Sequence, residues 1–120
     1  MLDERLTLAL SLLEACDTGA DIGTDHALLP CCALQKGLFR HMILTDISEN
    51  ALRHARENVL KLHLADRVTL RCGDGLDGLT EVCGCISMTG MGGISCAEIL
   101  LSHPEKLCGA TLVISPHRDA

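Results

Sequence analysis

Leu2, Leu6, Leu10 and Leu13 recur at helical spacing, with charges between the first two, and predict an amphipathic helix over residues 2–15. Asp17-Thr18-Gly19 reads as its stop. Ala20-Asp21-Ile22 reads as a short apolar strand entering a glycine turn. A second helix is expected over about residues 27–36, with Pro30 in its first turn and Gly37 as its stop. His41-Met42-Ile43-Leu44-Thr45-Asp46 predicts a buried strand ending in an acid. Ser48 is placed to cap a third helix whose apolar face carries Leu52, Ala55, Val59 and Leu62. Three more strands are expected at Val68–Cys72, Cys85–Thr89 and Thr111–Ser115. Ile94, Ala97 and Leu101 mark a short helix between the last two.

Helices alternating with continuous apolar strands predict an α/β fold, a Rossmann-like, mostly parallel sheet covered on both faces. The fifth strand is almost wholly apolar, which predicts an interior position, yet the sequence ends five residues after Ser115. A hydrophobic edge is a liability that complete domains avoid. The expectation is therefore an N-terminal part of a longer domain, cut after its fifth strand.

Composition narrows the class. The chain has 120 residues, 48% of them hydrophobic, and this excludes a disordered chain. Ten basic residues against 16 acidic ones give a formal charge of −6, unlike a nucleic-acid-binding domain that grips phosphates on its own. Phe39 is the single aromatic residue, too few for a base-stacking platform. No apolar run reaches the length of a membrane span. The eight Cys lack C-x-x-C spacing, follow no signal peptide and fall mostly in apolar runs. They are read as reduced structural thiols of a cytoplasmic protein, not as a metal site.

Ligands of open parallel sheets bind beyond the C-terminal strand ends. Here those ends carry Asp21, Asp25, Asp46, Asp74 and Asp77 amid glycine-rich backbone. Phosphates need basic groups, whereas a row of carboxylates suits hydroxyls and a cation. S-adenosylmethionine offers both, in its ribose and its sulfonium. Asp46 stands 23 positions after Gly23, where an acid commonly takes ribose hydroxyls. Asp74 is the candidate partner of an adenine amino group. Each Asp also has an ordinary reading as a turn or helix cap, strongest for Asp77. Gly23-Thr24-Asp25-His26 does not make G-x-G-x-x-G, and Asp25 there would repel a pyrophosphate. Gly90-Met91-Gly92-Gly93 is either an anion-binding loop or a tight turn with close helix packing. His26 is the candidate polar group near the reacting centre, and no general base is assigned. His117 follows the fifth strand and is a candidate pocket residue; the other His are read as surface or packing residues.

Leu2-x-x-Arg5-Leu6, Asp21-Ile22-Gly23-Thr24-Asp25-His26-Ala27-x-Leu29-Pro30, Thr45-Asp46-Ile47, Gly73-Asp74-Gly75-Leu76 and Gly90-Met91-Gly92-Gly93 occur in this order. Together they resemble the bacterial tRNA (adenine-22-N1)-methyltransferase family over nearly the whole chain. The resemblance implies a class I methyltransferase fold, S-adenosyl-L-methionine as cofactor and N1 of a tRNA adenine as acceptor. It implies that Asp21 and Gly23–His26 form the first cofactor motif and that Asp46 and Ile47 lie at the ribose. Asp74, Gly75 and Leu76 would frame the cofactor's adenine, with Gly90 beside them. Arg5, Met91, Gly92, Gly93, Ser115, Pro116 and His117 would belong to the substrate side. Family members usually carry Ala where Thr89 stands, and Gln-Pro-Asn where this chain has Ser115-Pro116-His117. They continue into a helical region that helps hold tRNA, so weak or absent tRNA binding is expected of this chain alone. The alternatives are a catalytically inactive cofactor-binding fragment, a dinucleotide-dependent oxidoreductase and a metal-binding Cys protein.

Overall fold

The computed structural model describes residues 2–116. Five strands form one sheet: β1 (Cys16–Ile22), β2 (Phe39–Asp46), β3 (Val68–Cys72), β4 (Cys85–Met88) and β5 (Thr111–Ile114). Their order is β3-β2-β1-β4-β5, and every pairing is parallel. Four helices accompany them: α1 (Glu4–Leu12), α2 (Leu28–Gln35), α3 (Glu49–Lys61) and α4 (Gly93–Ser102). The α/β, Rossmann-like expectation therefore holds.

The central strands β1, β2 and β4 are buried on both sides over most of their length, so neighbouring residues serve different cores. On β2, Met42 and Leu44 enter a cluster with Ala9, Leu34, Ala55 and Val59 from α1, α2 and α3, while Ile43 points to the other face. That second face holds Ala20, Ile22, Ile86 and Met88 with Cys96 of α4 and the turn residues Leu76 and Leu79. Cys31 and Cys85 fill the first cluster, Cys83 and Cys96 the second, so these thiols pack as small hydrophobes. Burial pushes the Cys31 and Cys83 thiols up to about 11, which keeps them protonated at neutral pH.

Several boundaries depart from the sequence pattern. Helix α1 stops at Leu12, and Asp17-Thr18-Gly19 lies inside β1 instead of in a turn. Thr18 and Gly19 pair with His41 and Met42, and Phe39 packs so close to Gly19 that a Cβ there would meet its ring at 3.0 Å. Sheet hydrogen bonding outweighs the turn propensity of the three residues. Leu62 caps α3 and is 39% exposed, outside the helix's buried face. On α4, Ile94 and Leu101 point outward, and Cys96 is the buried residue. Strand β5 is the sheet's edge among the described residues, with Leu112 38% exposed.

The termini of two helices matter for the site. Ser48 Oγ accepts from Ala51 N at 3.1 Å, the N-cap expected for α3, which sets the helix start just beyond Asp46. Gly37, at φ +75°, ends α2: its N–H donates to the Leu34 carbonyl and that of Leu38 to Ala33.

Candidate functional site

All five strands point their C-terminal ends the same way, and two cavities open there. The first, about 430 Å³, lies over the ends of β1, β2 and β3 against α4. Its walls include Gly23, Asp25, Asp46, Ile47, Asp74 and Glu98. Four carboxylates face it (Asp25, Asp46, Asp74 and Glu98), and among the described residues none of its lining side chains is basic. The second, about 250 Å³, is lined by Arg5, Asp21, Thr24, His26 and Thr89, among others. Gly23, Asp25 and Gly90 line both, so the cavities share one wall.

That wall is built from two backbones in close approach. Gly23 takes φ +71°, and its N–H and that of Thr24 both donate to the Thr45 carbonyl at 2.9 Å. A Cβ on Gly90 would stand 2.8 Å from the Gly23 carbonyl oxygen, so only glycine fits there. Met91 then lies over Gly23, its side chain 3.1 Å from where a Cβ would be. At its first glycine the Gly90-Met91-Gly92-Gly93 loop is thus constrained by close approach to the Gly23 backbone. Gly92 caps α4 and accepts from Cys96 N at 3.0 Å, and Gly93 is the helix's first residue.

Asp46 is held by backbone on both oxygens. Oδ2 accepts from Asp25 N at 3.1 Å and Oδ1 from Ser48 N at 3.0 Å. This bond crosses from β2 to the Gly23 turn, where Asp25 and Ala27 both adopt positive φ, at 49° and 61°. Two non-glycine residues in that region within three positions are a local strain of about 1 kcal/mol or more each. Asp74 begins the 3-10 turn Gly75–Gly78, but its side chain makes no capping bond, so capping does not account for this carboxylate. Asp77 accepts from His103 Nε2 at 2.7 Å and stays outside the first cavity.

Asp21 is 2% exposed, and its Oδ1 accepts from Ser87 Oγ at 2.6 Å across β1 and β4. Burial drives its pKa from 3.8 up to about 6, and the Ser87 bond opposes the rise. The Thr24 hydroxyl stands close enough to favour the charged form but lacks hydrogen-bond geometry. Thr45 Oγ1, at the first cavity, is likewise buried without a partner among the described residues.

The remaining expected residues distribute unevenly. Ile47 is 69% exposed at the rim of the first cavity, and Gly75 lines it. Leu76 does not frame a ligand through its side chain, which is 0% exposed inside the second core cluster. Met91, expected on the substrate side, lines the first cavity, while Gly92 and Gly93 line neither. His26 is half exposed in the second cavity, 3.8 Å from Asp25, with its ring 5.1 Å from that of His54. Arg5 joins that cavity, and its Nη1 donates to the carbonyls of Thr89 and Ser115. Pro116 is exposed beyond β5, and His117 lies outside the described residues. Sequence reading missed Ser95, Glu98 and Ile99, which α4 brings to the first cavity. Their signal was their place on one face of the helix after the glycine loop. Among the described residues no cluster of His, Cys, Asp or Glu is arranged to hold a metal. No described helix is long and apolar enough to cross a membrane.

Known proteins share this arrangement. A tRNA (adenine(22)-N(1))-methyltransferase of Bacillus subtilis is 35% identical over 103 residues, covering 84% of this chain and 43% of the relative. The crystal structure of the Bacillus subtilis M1A22 tRNA methyltransferase superposes with TM-score 0.89 at 31% identity, over 97% of this chain and 50% of that one. A Streptococcus pneumoniae putative tRNA (m1A22) methyltransferase, in complex with S-adenosyl-L-methionine, gives TM-score 0.89 at 29% identity, over 97% and 56%. The chain thus spans about half the length of these relatives. Residues 2–120 match the model of the methyltransferase domain family. Parallel sheet, acid-lined strand ends and sequence match agree, and the chain belongs to the methyltransferase domain family.

Proposed function

We propose that this chain is the cofactor-binding part of an S-adenosyl-L-methionine-dependent methyltransferase acting on N1 of adenine-22 in tRNA. The observation that carries the cofactor reading is the first cavity, with four carboxylates and, among the described residues, no basic side chain. A dinucleotide's pyrophosphate would be repelled there, whereas ribose hydroxyls, an amino group and a sulfonium are all attracted. The volume, about 430 Å³, is within the range of small-molecule sites. In this reading Asp46, fixed on Asp25 N and Ser48 N, keeps lone pairs for ribose hydroxyls. Asp74, free of capping, accepts from the adenine amino group, with Ile47 and Gly75 beside it. Asp21 and the Gly23–His26 turn take the cofactor's other end. Gly90 through Gly93, with Ser115, Pro116 and His117, form the side from which the base approaches.

Bound in this way, the cofactor supplies a methyl group on a cationic sulfur. Adenine N1 brings its own lone pair, so the protein need not remove a proton before transfer. What its residues supply is alignment across the Gly23–Gly90 wall and carboxylates that stabilise the cationic product. N1 lies on the pairing edge, so the base must be unpaired when it arrives. A charge of −6 supports weak tRNA affinity for this chain alone, with the grip supplied by the half of its relatives that it does not span. A tRNA substrate supports a cytoplasmic location.

Calorimetry with S-adenosyl-L-methionine and with NAD tests the reading. Saturable binding of the first is expected, and Asp46→Ala should weaken it by roughly 1–3 kcal/mol, the scale of a charge-assisted hydrogen bond. Binding of NAD alone, or an unchanged Asp46→Ala dissociation constant, would refute the cofactor assignment. Cofactor binding without methyl transfer to tRNA would identify the chain as a binding fragment.

A further inference from the structure

The first turn of α1 is tied to the far end of the sheet by one side chain. Arg5 Nη1 donates to the Thr89 carbonyl, to the Ser115 carbonyl at 3.2 Å and to Ser115 Oγ at 3.4 Å. Thr89 and Ser115 are the residues that immediately follow β4 and β5. These partners lie 84 and 110 positions away in sequence, and the bonds are partly buried. Ser115 N in turn donates to the Met88 carbonyl at 3.0 Å, so the two strand ends and the guanidinium form one connected unit.

The next residue after Thr89 is Gly90, whose backbone runs so close to Gly23 that a Cβ would stand 2.8 Å from its carbonyl oxygen. Gly23 and Thr24 are hooked on the Thr45 carbonyl, one residue before Asp46. A shift of Thr89 therefore has no slack to absorb it before it reaches the wall between the cavities. Arg5 also lines the second cavity itself.

We infer that Arg5 is a positioning residue, which sets the Thr89–Gly90 segment against the Gly23 turn and so fixes the shape of the wall shared by both cavities. Helix α1 thereby belongs to the site and is not merely a cover for the sheet. The inference rests on the proposed cofactor reading only for its ligand readout. A guanidinium suits this task because it keeps its charge, and all three contacts come from the one nitrogen Nη1. A lysine ammonium can reach the same carbonyls from a single nitrogen.

The test compares Arg5→Met, Arg5→Lys and Val59→Ala, the last a change at a buried core position of α3 that lines neither cavity. Two measurements are made on each: amide NMR spectra of the unliganded chain, and the dissociation constant of S-adenosylhomocysteine. Arg5→Met should displace the Gly23, Gly90 and Ser115 amide resonances and raise the dissociation constant about tenfold, with Arg5→Lys recovering most of both. Val59→Ala should lower thermal stability while leaving those resonances and the affinity near wild type. Spectral changes confined to α1, or displaced glycine resonances with unchanged affinity, would overturn the positioning role. So would equal effects of Val59→Ala at matched stability loss. If the wild-type chain binds no cofactor, the functional reading fails, and the glycine resonances alone decide whether Arg5 sets the wall.

Discussion

Replacing Asp21 by Asn should make the protein more stable at neutral pH. Asp21 is 2% exposed, and its pKa is raised from 3.8 to about 6, chiefly by burial. The folded state therefore holds this proton more tightly than the unfolded chain does. The resulting stability is full below about pH 4 and is lost as pH rises through about 6. A difference of about two pKa units, at 1.36 kcal/mol each, gives roughly 3 kcal/mol between the two limits. Asn is nearly isosteric, stays neutral, and its side-chain oxygen can keep the bond from Ser87 Oγ. Urea unfolding of both proteins from pH 4 to pH 8 measures the difference. Asn should be near wild type at pH 4 and more stable by up to about 3 kcal/mol at pH 7.5. Parallel pH profiles for the two proteins would refute the assignment of a buried, desolvated carboxylate at this position. The gain should come with weaker cofactor binding, because Asp21 lines the second cavity.

Two further substitutions probe the wall and the turn. Gly90→Ala places a Cβ 2.8 Å from the Gly23 carbonyl, so it should cost about 1–3 kcal/mol by overpacking and weaken cofactor binding, as read by thermal unfolding and calorimetry. Leu76→Ala empties a fully buried core position, so it should cost about 2–5 kcal/mol in urea unfolding. Under conditions where it remains folded, its cofactor affinity should stay within about threefold of wild type, since its side chain is outside the cavity.

How much of the site was legible varied by residue. Asp46 and Asp74 could be located because a strand's apolar run ends visibly, and the strand-end rule then names the next polar residue as a ligand candidate. Strand β3 was read at the boundaries it has, Val68–Cys72. The burial of the Leu76 side chain is not legible in its motif, because a motif fixes a residue's order along the chain but not which way its side chain turns in a 3-10 turn. Glu98 was missed because helical spacing on α4 singled out Ile94 and Leu101, which face outward.

The sequence by itself determined the alternation of strands and helices, the two-faced burial of the sheet and the acidic character of its C-terminal edge. These are local properties: apolar period, turn chemistry and residue type at a strand's end. Only the tertiary structure decided that Asp17-Thr18-Gly19 extends β1, that β5 lies at an edge and that Asp21 is buried beside Ser87. It also decided that Arg5 reaches Thr89 and Ser115 and that Gly23 and Gly90 approach closely. Each of these depends on groups tens of residues apart meeting within about 3 Å, the range over which hydrogen bonds and steric contacts act. No local pattern encodes such a meeting, because it is set by how the strands order themselves within the sheet.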